Sequence, residues 1–189
     1  MHFKFDIMKS LSYKEKRPYD WEKANLERVI DLLSEDFREC KKEEIIRISS
    51  KYGNYNLWNH EKIVDSLDYA LNKKKINIRC IIGDNISVSE ENKNTLLNLG
   101  IQQKITLYGM GSLILCNDYI TFGDRLAFAE DRIHQFSYNN IKIKYFNEED
   151  NFSKPIIKYL IYLFDGNIEL IGAKKILKED DIFNLKEKE

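Results

Sequence analysis

The sequence predicts an α/β domain with a mixed sheet, and three observations carry that prediction. Two apolar, β-branched runs, Ile45-Ile46-Arg47-Ile48 and Ile76-Asn77-Ile78-Arg79-Cys80-Ile81-Ile82, read as strands. Between them Ile63, Val64, Leu67, Ala70 and Leu71 recur at helical spacing, so the order is strand, helix, strand, which gives parallel strands and a right-handed crossover. Beyond Gly100 the pattern changes to short extended pieces separated by turn residues, the signature of antiparallel hairpins.

The elements follow in order. Pro18-Tyr19-Asp20 punctuates a polar start, and Asp20 is a good N-cap because its carboxylate accepts from the free amides of a first turn. Trp21, Asn25, Leu26, Val29, Ile30, Leu33 and Phe37 then mark a helix over 20–39. A polar and aromatic loop from Ser49 to Asn59 follows the first strand, with Asn59 the expected N-cap of the crossover helix. Lys73-Lys74-Lys75 places positive charge at the negative end of that helix. A further helix is expected from about Glu90 to Leu99, opened by Ser89 and stopped at Gly100.

Lys104–Tyr108, Ser112–Cys116 and Tyr119–Phe122 read as extended, with Asn117-Asp118 at the hairpin turn. Phe128–Phe136 reads as a short helix and Ile141–Phe146 as a strand. Tyr159–Phe164 and Ile168–Ile171 read as a second hairpin around Asp165-Gly166-Asn167, since Asp-Gly supplies the positive φ of a tight turn. The expected organisation is an N-terminal arm and helix over 1–44, an α/β domain over 45–178 and a charged tail over 179–189.

Composition bounds the function. The 189 residues are 43% hydrophobic and 12% aromatic, with 2 Pro and 8 Gly, a globular rather than disordered profile. With 30 Lys+Arg against 31 Asp+Glu the net charge is -1, which excludes the strong overall basicity of a general nucleic-acid binder but leaves room for a local patch. Cys40, Cys80 and Cys116 are odd in number and lack Cys-x-x-Cys spacing, so neither a disulfide framework nor a zinc ribbon is expected. No run approaches the roughly 18 apolar residues of a membrane span, and the reading is a soluble, cytoplasmic protein without a membrane anchor.

Short catalytic motifs are missing: no Gly-rich phosphate loop, no His-Glu-x-x-His, no Gly-x-Ser-x-Gly and no Asp-rich calcium loop. His2, His60 and His134 have no partner at ligand spacing, so no metal and no cofactor is expected. Gly83-Asp84-Asn85 follows a buried-looking strand, where an α/β protein binds ligands, though Asp-Asn is equally ordinary turn chemistry.

The order Ile45-Ile46-Arg47-Ile48-Ser49-Ser50, polar loop, helix ending Ala70-Leu71, basic turn and Ile76–Gly83 resembles the opening half of a phospholipase D-like domain. The resemblance continues through Asn94-Thr95-Leu96-Leu97-Asn98-Leu99-Gly100-Ile101 and the stretch from Tyr108 to Arg125, and covers about half the chain. In that family the last stretch is a hairpin with His-x-Lys-x-x-x-x-Asp followed by a Gly-Ser strand end. The histidine attacks a phosphodiester phosphorus and the lysine neutralises the phosphate oxygens.

Aligning on the Asn117-Asp118 turn sets Met110, Ser112 and Asn117 at the His, Lys and Asp positions, and Asp124 where the family has Ser. The alternative register sets Gly109, Gly111 and Cys116 there. Both lack the imidazole and the ammonium, so the resemblance implies a degenerate, inactive member of the fold. Ser112 as a replacement nucleophile needs a base, for which Asp124, Glu130 and His134 are the candidates.

Three function classes follow. The first is a non-enzymatic scaffold, a homodimer or part of a protein complex, because active members build one site from two motif copies and this chain has one. Its hairpin face, Ser112–Phe122 with Gly123-Asp124, would then be covered by the second copy. Tyr52, Tyr55 and Trp58, crowded into one loop, are the candidate interface, for stacking on bases or on a protein partner, with partial burial in the local core as the other reading. The second class is a nucleic-acid or nucleotide phosphate-binding module, with Lys73, Lys74, Lys75, Arg79 and Arg125 as candidate contacts. The third is a nuclease or phosphohydrolase with rearranged catalytic groups.

Overall fold

The computed structural model describes residues 26–50, 55–83, 94–110, 118–130, 143–149, 151–169, 173–178 and 181. Helix α1 (Leu26–Glu39) leads into strand β1 (Ile45–Ser50), the short helix α2 (Tyr55–Trp58), helix α3 (Glu61–Asn72) and strand β2 (Asn77–Gly83). Helix α4 (Thr95–Ile101) and strand β3 (Thr106–Met110) repeat the crossover. Strands β4 (Tyr119–Phe122), β5 (Leu126–Glu130) and β6 (Ile143–Asn147) form a meander, followed by helix α5 (Ser153–Glu169) and the two-residue strand β7 (Lys174–Lys175).

All strands join one seven-stranded sheet in the order β6-β5-β4-β1-β2-β3-β7. β1 pairs parallel with β2 and β2 with β3, as two successive crossovers require, while the other pairings are antiparallel. The sheet is thus mixed, parallel in its β1-β2-β3 part.

Alternation along the strands gives the sheet two unlike faces. One presents Ile46, Ile48, Ile78, Cys80, Ile82, Leu107, Ile120, Phe122 and Phe128, and α1, α3 and α4 cover it with Val29, Leu33, Phe37, Ile63, Leu67, Leu96 and Leu97. Phe37, Phe122, Phe128 and Tyr145 continue this core as an edge-to-face chain, with centroids 4.8 to 6.2 Å apart. On the other face Ile81, Met110, Tyr119, Ala127 and Phe146 meet Ile157, Leu160 and Phe164 of α5.

Close approach of α4 to β3 depends on Gly100, where a Cβ would collide with the Leu107 side chain.

Several expectations are corrected. Residues 153–169 are a helix, not a hairpin: Ile157, Leu160 and Phe164 bury at three-and-four spacing, and Asp165-Gly166 lies inside the last turns. β4 forms a hairpin with β5 around Gly123-Asp124-Arg125, since Phe122 pairs with Leu126 and Gly123 takes φ 56°; the turn expected at Asn117-Asp118, with its strand Ser112–Cys116, falls largely outside the described residues. Residues 128–130 are therefore strand, where a short helix over 128–136 was expected, and all of β4 is buried between β1 and β5, while residues 112–117 of the expected open face lie outside the described residues.

His60, not Asn59, is the N-cap of α3; its Nδ1 accepts from the Lys62 amide. Asn59 instead reaches across to α4, its Oδ1 accepting from the Thr95 amide at 2.8 Å and hydroxyl at 3.0 Å. α4 starts at Thr95 behind Asn94, whose side chain accepts from the Leu96 amide, five residues later than the expected start at Glu90 behind Ser89. Asp20, Ser89, Ser112, Cys116 and Asn117 lie outside the described residues.

Candidate functional site

β1, β2 and β3 end at one edge of the sheet, with Ser50, Gly83 and Met110, and β4 begins there because Tyr119 pairs with Ser49. This edge is where α/β sheets place their ligands. Ser49, Ser50, Met110 and Tyr119 are all buried, so what stands on the described strand ends is hydroxyl and thioether, not charge. The nearby imidazole of His60 is engaged as a helix cap, and Asn59 and Asn94 are engaged in ordering α4. Among the described residues, charged side chains stand elsewhere on the sheet.

On the α5 face, Arg47 of β1 and Arg79 of β2 are register partners and so lie side by side. Asp165 of α5 answers both: Arg47 Nε and Nη2 donate to Oδ1 and Oδ2 at 3.3 and 3.2 Å, and Arg79 Nη1 lies 3.9 Å from Oδ1. The bidentate pair to Arg47 is geometrically strong, whereas Arg79 receives the remainder of a carboxylate already in use. Two guanidinium charges thus share one acid.

At the opposite edge, Arg125 Nε donates to Glu44 Oε1 at 3.3 Å, with side chains 11% and 7% exposed. Burial opposes the charge of Arg125, but Glu44 and then Asp36 outweigh it and hold the guanidinium above its ordinary pKa. The neighbouring Cys40 thiol is pushed up to about 12, first by burial and then by the Glu44 carboxylate. That thiol is a protonated, inert group that donates to the Asp36 carbonyl at 3.2 Å. An open cleft of about 510 Å³ adjoins this pair, lined by Lys41, Lys42, Arg47, Asp124, Glu148 and Ile161 among others. Its walls mix both signs of charge and so select neither.

Among the described residues, those singled out from sequence are scattered rather than gathered. Met110 is buried at the end of β3, and Asp124 is exposed in the β4–β5 loop at the other edge. Lys73, Lys74 and Lys75 form the turn between α3 and β2, with Lys75 at φ 56°, and Arg79 is partly exposed on β2. Trp58 is 2% exposed and belongs to the core, which removes it from the candidate interface; Tyr52 lies outside the described residues and Tyr55 opens α2. Arg125, a candidate phosphate contact from sequence, is committed to Glu44.

Glu44 and Asp165 were not singled out. Helical spacing over 153–164 was the available signal for Asp165, since it turns that residue from a loop former into a helix-borne acid over the sheet.

Among the described residues no helix is long and apolar enough to cross a membrane. No protein-family model matches the chain, and no curated protein matches it. Solved structures do. One is a phospholipase D family member, Nuc from Salmonella typhimurium, at 10% identity and TM-score 0.53, covering 77% of this chain and 89% of that one. Another is NucT from Helicobacter pylori, at 12% identity and TM-score 0.53, covering 80% and 92%. With its mixed seven-stranded sheet, paired crossovers and β4–β5 hairpin, the chain has a phospholipase D-like α/β fold.

Proposed function

We propose that this chain is a phospholipase D-like fold that acts by binding rather than by phosphodiester chemistry, as a homodimer or as a part of a larger protein assembly. The position of the hairpin turn is the observation that carries this reading. Counting the family's His-x-Lys-x-x-x-x-Asp back from Asp124 sets Asn117 and Tyr119 at the His and Lys positions, and counting from Gly123 sets Cys116 and Asp118 there. From Ile105 to Ile133 the sequence holds no His and no Lys, so no shift of register within that stretch restores the pair. Without an imidazole in that stretch the family's nucleophile is missing, and without an ammonium so is the family's group for the charge that develops on phosphate.

The outer face of α5 supports assembly. Tyr159 and Tyr162 are 60% and 68% exposed, three residues apart on one side of the helix, while the buried stripe faces the sheet. Neighbouring exposed aromatics of this size are enriched at protein interfaces.

The test is turnover of bis(4-nitrophenyl) phosphate and of DNA, in the presence of a chelator. No turnover above buffer is expected. Metal-independent turnover that is lost in Ser112→Ala or Tyr119→Phe would overturn the reading and select the alternative, a nuclease or phosphohydrolase with rearranged catalytic groups.

A further inference from the structure

α5 carries more apolar surface than the sheet covers. Ser153, Ile157, Leu160, Phe164 and Asn167 form the stripe buried on β6, β4 and β1. On the opposite side Phe152, at the entry to the helix, is 73% exposed, and Pro155, Tyr159 and Tyr162 are exposed with it. A helix that is apolar on both sides calls for a second cover.

The spacing of the outer side is regular. Phe152, Pro155, Tyr159, Tyr162, Gly166 and Glu169 follow one another at intervals of three, four, three, four and three residues, the seam of a helix-helix pair. Read from Glu169 back to Phe152, the intervals are the same. A second copy of α5 turned end over end therefore meets the seam with every member in register. Tyr159 then lies against Tyr162 of the other copy, Pro155 against its Gly166, and Phe152 against the methylenes of its Glu169.

Charge selects this orientation. Within α5 the bases come first, Lys154 and Lys158, and the acids last, Asp165 and Glu169; the first turn holds no acid and the last turn no base. That order runs against the helix dipole, which favours acids at the N-terminus and bases at the C-terminus, so it costs the single chain stability. Asp165 is answered by Arg47, whereas Lys154, Lys158 and Glu169 are exposed. Glu148 and Glu149, before the helix, are tied to the end of β6: the Glu148 amide donates to the Arg125 carbonyl and the Glu149 amide to Asn147 Oδ1. In a parallel pair Lys154 would meet Lys154 and Glu169 would meet Glu169. In the antiparallel pair Lys154 of each copy meets Glu169 of the other, once at either end of the seam.

We propose that α5 is the contact by which two copies of this chain pair, antiparallel about a two-fold axis between Tyr159 and Tyr162, with Lys154 of each copy on Glu169 of the other. The pairing rests on the reading of this chain as a binding fold and gives that fold its partner, surface and orientation.

Sedimentation equilibrium of the full chain, from micromolar to submillimolar protein, tests it. A dimer is expected. Lys154→Glu and Glu169→Lys should each weaken it about 3- to 10-fold, since by symmetry each removes two exposed ion pairs and sets like charges together, and the Lys154→Glu, Glu169→Lys double variant should return to within about twofold of the parent. Both single changes bring α5 into line with its dipole, so neither should lower the urea midpoint of the monomer, which separates lost pairing from lost folding. Mixed Pro155→Cys and Gly166→Cys proteins should be joined by a short bismaleimide beyond the level the parent shows, and neither should be joined when alone. A parent that stays monomeric, a double variant as weak as the single ones, or Pro155→Cys linking to itself in place of the mixed pair would overturn the proposal. Turnover of bis(4-nitrophenyl) phosphate by a protein that pairs as expected would instead overturn the binding reading and leave the pairing standing.

Discussion

Glu44 and Arg125 lie 81 residues apart in sequence yet meet at 3.3 Å, tying the entry to β1 to the last residue of the β4–β5 loop. Both side chains are nearly closed off from water, so each charge depends on the other. Glu44→Gln or Arg125→Met alone should cost about 3–5 kcal/mol in urea unfolding, because the surviving charge is left without its partner. Arg125 Nη2 is buried without a hydrogen-bond partner among the described residues, so the pair is incompletely compensated. Glu44→Leu with Arg125→Met should then cost less than the sum of the single changes. Additive losses would show that the two groups act independently.

Gly123 enters the same unit. Its φ is 56°, and a Cβ there would sit 3.0 Å from Glu44 Cγ and 3.1 Å from Oε1. Gly123→Ala should cost about 1–3 kcal/mol through backbone strain alone, and part of its further effect should vanish in the Glu44→Leu background, where Oε1 is gone. Equal melting temperatures for parent and Gly123→Ala would put the turn elsewhere.

Cys40 gives the fold an alkaline limit. Its thiol is raised from 9.0 to about 12 by burial and then by Glu44, so the folded state holds a proton that the unfolded chain releases earlier. The stabilisation is complete below the unfolded value and is lost as pH rises between about 9 and 12, at up to about 1.4 kcal/mol per pH unit. Cys40→Ala removes this dependence. The stability difference between parent and Cys40→Ala should therefore narrow as urea melts are taken from pH 8 to pH 11; a constant difference would contradict the burial of that thiol.

The parallel part of the fold was legible because its signals are local. Ile45–Ile48 and Ile76–Ile82 are apolar and β-branched, and Ile63, Leu67 and Ala70 keep helical spacing, so each element declares itself without reference to the others. The second half was less legible for a physical reason. Tyr159-Leu160-Ile161-Tyr162-Leu163-Phe164 is a continuous apolar run that fits a strand as well as a helix, and an Asp-Gly pair at its end favours the turn. Gly123-Asp124 is a turn former as Asn117-Asp118 is, and only the long-range pairing of Phe122 with Leu126 marks it as the turn between β4 and β5. Arg47 and Asp165, 118 residues apart, take their meaning from each other, and nothing local marks either.

α5 separates the two readings of residues 153–169 in one pair of substitutions. Phe164 is fully buried against the sheet and Tyr162 is largely exposed. Phe164→Ala should cost about 3–5 kcal/mol through lost burial and a cavity, and Tyr162→Ala should stay within about 0.5 kcal/mol. In the hairpin reading residues 162 and 164 would share a face, and the two losses would be alike.

Self-association is the last expectation. The β4 strand lies inside the sheet, flanked by β1 and β5, so it offers no open face for a second copy. The proposed surface is instead the exposed aromatic side of α5, where Tyr159 and Tyr162 stand beside Lys158. A net charge of -1 sets little long-range repulsion against two chains approaching. Pairing the two α5 faces about a two-fold axis should bury on the order of 1,200–2,000 Å², the size of a specific interface. Light scattering at micromolar protein should give twice the 22.5 kDa chain mass, and the Tyr159→Glu, Tyr162→Glu double variant should return it to the monomer while leaving its urea midpoint intact. A parent protein that stays at 22.5 kDa as its concentration rises would instead leave the α5 face to a different protein.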